Sequence, residues 1–163
     1  MTKGPIVNVA EVPVVERGNG GAFAVKWGRV GPLLGLQALG CALHVVPSGK
    51  KAFPFHRHHV MDELFYVLAG DGEYRWGDER LKVKAGDLVS APAGTKPHQL
   101  INTGSGELRY LGISSAAATE VVDYPDSGKI GISAGMKGDD FKSATYRGMG
   151  RMQAADYFDG ESD

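Results

Sequence analysis

Short apolar and alternating runs, cut at close intervals by glycine and proline, set the pattern of this chain. IVNVA and PVV at 6–15 read as an edge strand or arm, because Pro13 cannot donate to a central ladder, and Asn19-Gly20-Gly21 closes the segment. AFAVKWGRV at 22–30 alternates as a half-buried strand does. LLGLQALGCALHVV at 33–46 fits a helix or a strand. Gly35 and Gly40 in its interior, each worth about 1 kcal/mol against a helix, and the valines at its end favour one or two strands. ELFYVLAG follows, then GEYRW and RLKVK around Gly77-Asp78-Glu79, then DLVSAPAG, HQLINTG and ELRYLGISS. Roughly eight short strands at this spacing predict an all-β sandwich or barrel.

Beyond Ser115 neither period is sustained, so 116–163 reads as an irregular extension with helical turns expected near 139–145 and 151–158. Its aromatics, Phe141, Tyr146, Tyr157 and Phe158, suit a place over the barrel or on a second subunit. The expected organisation is an N-terminal arm at 1–21, a barrel at 22–115 and the extension at 116–163, with no internal repeat to mark a second domain.

PFHRHHVMDELFYVLAG at 54–70 concentrates chemistry. His56, His58 and Glu63, three side chains able to ligate metal, fall within eight residues. On a strand His56 and His58 share one face while Arg57 and His59 take the other. Glu63 has the opposite parity, but a reversal at Met61-Asp62 would start a new strand and return its carboxylate to the imidazoles. His98 follows a turn-rich stretch, Pro92, Gly94 and Pro97, that delivers it to the start of another strand. His44 reads as a packed or rim histidine, and Cys41 as a small core residue with no assignable catalytic partner. Phe65 and Val67 share parity with Glu63 and are expected to line the pocket. As a second acid or base, Tyr66, Gln37 and His44 are weak candidates. The tail acids Asp156, Asp159, Glu161 and Asp163 read as a solvated terminus.

Two spaced motifs here resemble those of the cupin superfamily. The first, His-x-His, a glutamate and a glycine, is met by His56, His58, Glu63 and Gly70, with Gly49 one residue further upstream than the pattern asks. The second is met by Gly86, Pro92, Gly94, His98 and Asn102, with one extra residue between Gly94 and His98. The resemblance covers roughly residues 40–115. It implies a double-stranded β-helix, or jelly roll, with one divalent metal held by His56, His58, Glu63 and His98, while Asn102 reads as structural. Three neutral imidazoles and a carboxylate suit Fe, Mn, Ni, Cu or Zn and leave two positions open at an octahedral ion, which favours binding or catalysis over a closed structural site. The expected function is action on a small oxygen-bearing metabolite, of oxygenase, decarboxylase or sugar isomerase type. The alternative is non-catalytic, metal-dependent binding of an organic acid or sugar.

Charge and composition narrow the partners. With 18 Lys+Arg against 19 Asp+Glu the net charge is -1, which points to neither nucleic acid nor an anionic membrane. About twenty residues before Ala22 cannot house a helix-turn-helix domain. A single cysteine excludes an internal disulfide, and no basic segment leads into an apolar run at the N-terminus, so a cytoplasmic location is expected. An exposed edge strand, together with the aromatic extension, makes a homodimer the expected assembly.

Overall fold

The alternation breaks where glycine must take a left-handed backbone, and strands turn back at those points. The computed structural model describes residues 4–138 and 140–162, and 49% of it is strand against 6% helix. The N-terminal arm forms a 3-10 turn at Val9–Glu11 and then strand β1, Val15–Gly18. There follow β2, Ala24–Arg29, a single helical turn α1, Gly31–Leu34, and β3, Leu39–Val46. The apolar run at 33–46 therefore splits: Gly35, at φ 71, caps α1, and the strand begins only at Leu39.

Next come β4, Arg57–His58, β5, Glu63–Ala69, β6, Asp71–Trp76, and β7, Glu79–Lys84. The barrel sequence closes with β8, Leu88–Ala91, β9, His98–Ile101, and β10, Leu108–Ser115. Gly70 links β5 to β6 at φ 82, and a Cβ there would collide with the Glu107 carbonyl, so both the backbone angle and the space require glycine.

The stretch expected to be irregular beyond Ser115 is instead largely ordered. It forms β11, Thr119–Tyr124, β12, Lys129–Ala134, and β13, Tyr146–Gly150. A 3-10 turn, Phe141–Ser143, lies where a helical turn was expected near 139–145, and Asp139 is outside the described residues. The helical turn expected at 151–158 is absent: 151–156 has no regular structure and the chain only bends at 157–160.

Three antiparallel sheets result, ordered β1-β2-β3-β10-β5-β8, β7-β6-β9 and β13-β12-β11-β4. Val46, Phe65, Val67, Tyr74, Leu108 and Tyr110 belong to the main core, with Val67 and Leu108 fully excluded from solvent. A second cluster, Val12, Val30, Leu43 and Val45, lies under the N-terminal arm and α1. β1 is an edge strand, as Pro13 requires, although the strand itself begins two residues later.

Candidate metal centre

The candidate ligands come from separate elements: His56 from an isolated bridge, His58 from the end of β4, and Glu63 and His98 from the starts of β5 and β9. His56 forms an isolated bridge with His98, its N–H donating to the His98 carbonyl at 3.1 Å and its carbonyl accepting from the His98 N–H at 2.7 Å. His58 lies on β4, Glu63 opens β5 and His98 opens β9. The reversal between His58 and Glu63 is real and tightly held. Asp62 accepts from the Ala93 N–H at 2.8 Å, and its own N–H donates to Ser115 Oγ at 3.0 Å.

The three imidazoles converge on one carboxylate oxygen. Glu63 Oε2 lies 2.9 Å from His98 Nε2, 3.5 Å from His58 Nε2 and 3.8 Å from His56 Nε2. His56, Glu63 and His98 present ligand atoms all within 4.8 Å of one another; His58 reaches Glu63 from the side, its ring 6.5 Å from that of His98. His56 Nδ1 must donate to the Pro54 carbonyl, 2.8 Å away, because a carbonyl only accepts. That leaves the Nε2 lone pair facing the cluster. The donor set can hold a metal ion.

Electrostatics keep His56 and Glu63 in the protonation states a metal needs. Burial lowers His56 to about 4, against the attraction of Glu63, so its imidazole is neutral at pH 7. Burial would raise Glu63, but the His98 hydrogen bond and the charges at His58 and His56 outweigh it and hold the carboxyl down at about 2.

Sequence reasoning missed Glu120, on β11. Its side chain is fully buried. Oε1 accepts from the N–H groups of His59, Val60 and Val121 at 3.0, 3.1 and 2.8 Å, and Oε2 accepts from Met61 N–H at 2.7 Å. Oε2 also faces His58 Nδ1 at 3.3 Å, an ion-pair distance without hydrogen-bond alignment. Burial pushes His58 down, yet Glu120 and Glu63 together raise it above its ordinary value. Burial would raise Glu120 too, but His58 and the Met61 and Val60 N–H groups hold it low. A buried carboxylate behind a ligating histidine orients the ring and increases its basicity. The available signal was the turn Pro125-Asp126-Ser127-Gly128 between TEVVDY and KIGISA, which marks a hairpin.

The cluster lies in a cavity of about 540 Å³ whose walls include Phe65, Phe53, Tyr110 and Gly112. His44 lines it as well, stacked on Tyr110 with centroids 4.6 Å apart and held neutral by burial, its pKa lowered to about 4. Cys41 is half-buried, packed against the second cluster and lining the cavity wall. Val67 lies in the core instead of lining the cavity, and Tyr66 and Gln37 stand outside it. His59 points away, as alternation requires, its Nε2 2.8 Å from Asp123. Asn102 is structural: its amide donates to the Val46 and Gly106 carbonyls and its oxygen accepts from Gly104 N–H.

Comparison with known proteins agrees with this architecture. Residues 42–114 match the model of the cupin domain family. That segment is a cupin domain. An uncharacterized protein of Methanocaldococcus jannaschii is 36% identical to it over 67 residues, 41% of this chain and 52% of that protein. The oxalate-binding protein of Thermotoga maritima is 31% identical over 58 residues, 36% of this chain and 47% of that protein. The chain thus spans about half the length of these curated relatives. A crystal structure of a sugar phosphate isomerase of the cupin superfamily from Silicibacter pomeroyi superposes with a TM-score of 0.76 at 20% identity, covering 90% of this chain and 92% of that one. At that identity the likeness is one of fold, and its coverage extends past the cupin domain into the added strands.

Proposed function

We propose that the cupin domain binds one divalent transition metal through His56, His58, Glu63 and His98 and acts as an enzyme on a small oxygen-bearing metabolite. The observation that carries this reading is the convergence of three imidazole Nε2 atoms on Glu63 Oε2 at the floor of a 540 Å³ cavity. Fe, Mn, Ni, Zn and Cu all suit the donor set. When bound, such an ion polarises a carbonyl or hydroxyl oxygen.

The chain's own residues do the rest. Phe65, Phe53 and Tyr110 give the cavity apolar walls, and His56, turned by Pro54, keeps its lone pair inward. The neutral ring of His44 leaves its Nδ1 without a partner at the cavity wall. Chemistry of isomerase, decarboxylase or oxygenase type is compatible with this floor. A second reading, metal-dependent binding without turnover, is favoured by the kinship with an oxalate-binding protein and by Tyr66 and Gln37 standing outside the cavity. A homodimer in the cytoplasm belongs to the same proposal, and no helix among the described residues is long and apolar enough to cross a membrane.

Elemental analysis of protein purified without chelator or affinity metal tests the centre. Near-stoichiometric metal is expected, lost in His58→Ala and in Glu63→Gln while both variants keep their fold by circular dichroism. Full occupancy in both variants would mean that the ligands lie elsewhere. Absence of metal from the wild type, with none taken up on addition, would overturn the proposal.

A further inference from the structure

The cavity has a second charged region, at its mouth. Arg17 on β1, Arg29 on β2, Lys142 in the 3-10 turn and Arg147 on β13 all line it, against Asp140 at the same level and Glu63 on the floor. Arg29 lies 3.9 Å from Asp140, and Arg17 sits over the Trp27 ring at 3.9 Å. The side chains of Lys142 and Arg147 form no ion pair or hydrogen bond with the described residues, and both are exposed. A chain of net charge -1 has therefore gathered an excess of cations at one concave opening. Such a mouth focuses field lines and draws anions inward.

Two further facts point to a polar occupant. His44 Nδ1 and Gln99 Oε1 are buried without a hydrogen-bond partner, and both residues line this cavity. Gln99 already uses its amide nitrogen on the Phe53 carbonyl at 2.7 Å, so its oxygen is the free acceptor. A buried polar group left unmatched costs about 1–3 kcal/mol, which a ligand hydroxyl or a water would recover. All four cations, moreover, come from outside residues 42–114. The shared domain supplies the floor, and the segments added on either side supply the mouth.

We propose that Arg17, Lys142 and Arg147 form a binding site for the phosphate group of a phosphorylated hydroxy-carbonyl or hydroxy-acid metabolite. Placing the ligand's oxygen-bearing head on the floor rests on the metal-centre reading above; the phosphate site rests on the mouth alone. Guanidinium and ammonium donors match phosphate oxygens with charge-assisted bonds, Arg in a planar fork and Lys as a point charge. The concave shape, a cavity of about 540 Å³, selects a small molecule over a nucleic acid or lipid surface, whose phosphates lie along extended backbones or planes.

The test uses the full chain stripped of metal by chelator and titrated calorimetrically with ribose 5-phosphate, ribose and inorganic phosphate. Ribose 5-phosphate is expected to bind at least about tenfold more tightly than ribose, an advantage that shrinks as sodium chloride is raised. Inorganic phosphate is expected to compete. Lys142→Ala with Arg147→Ala, both exposed positions, should abolish the advantage, and Arg147→Glu should do so alone. Equal affinity for the two sugars, no binding of either phosphate compound at millimolar concentration, or an advantage that survives in the variants would overturn the proposal. Metal content, measured before stripping, separates the two readings. Phosphate selectivity in a protein that holds no metal sinks the metal centre and leaves the mouth standing, whereas metal without phosphate selectivity does the reverse.

Discussion

Replacing Glu120 by glutamine removes a charge and little volume, so it isolates what the carboxylate does. The buried Oε1 serves three N–H groups, and Oε2 serves Met61 N–H and faces His58. A glutamine keeps a single acceptor oxygen. If that oxygen stays with the three N–H groups, the new amide meets Met61 N–H, donor against donor, and a buried N–H left unpaired costs about 1–3 kcal/mol. The remaining three bonds lose their charge assistance, roughly 0.5 kcal/mol each. Against this, the amide is cheaper to bury than the carboxylate, which returns part of the sum. The net expectation is a loss of about 2–3 kcal/mol. Urea unfolding of chelator-treated protein at pH 7, with an unchanged m-value, measures it. Metal affinity should fall about 10- to 100-fold because His58 loses its partner. A variant within about 0.5 kcal/mol of wild type would refute the anchoring argument, and lost stability with unchanged metal affinity would reduce Glu120 to a pin for the reversal at 59–61.

Acid should destabilise the metal-free protein well above the range where ordinary carboxylates titrate. His44 is lowered from 6.5 to about 4 in the fold, so below pH 6.5 the unfolded chain takes up a proton that the folded chain refuses, and stability falls toward pH 4 by up to about 3 kcal/mol. His56, also lowered to about 4, acts with the same sign; His58, raised, opposes them, its contribution being present at low pH and lost as pH rises. Glu63, held at about 2, adds stability above 4.5 that disappears only as pH falls toward 2. Urea midpoints at pH 7 and pH 5 should differ less in His44→Phe than in wild type, and an equal drop in both would show that His44 is not a source of the effect. The exposed Tyr146, Met149, Met152, Tyr157 and Phe158 favour the dimer, so light scattering at micromolar concentration should return about twice 17.3 kDa, and a monomer mass would reject that assembly.

The barrel was legible because its turns carry Gly and Pro and strands such as β6 and β8 alternate. The floor was legible for a related reason: the His56, His58 parity and the Met61-Asp62 reversal depend only on local geometry. β11 was hidden by its own function. Its inward positions are Glu120 and Val122, and a charge at an inward position breaks the apolar alternation that identifies a strand. In β12 most residues are half-buried, and in β13 most are exposed, so neither shows a contrast between its two faces. The cations at the mouth lie far apart in sequence and share no spacing; only the folded chain brings Arg17 and Arg147 to one opening.

The two-residue strand β4 has one ladder partner, β11, which begins after the cupin match has ended. Sequence kinship therefore draws its boundary through the middle of a working unit. A fragment trimmed to 42–114 would keep every proposed ligand and lose the strand that aligns His58 and the carboxylate behind it. The span matched by the family model and the span that builds the candidate site are different lengths of chain, and transplanting the first without the second would move the residues but not the site.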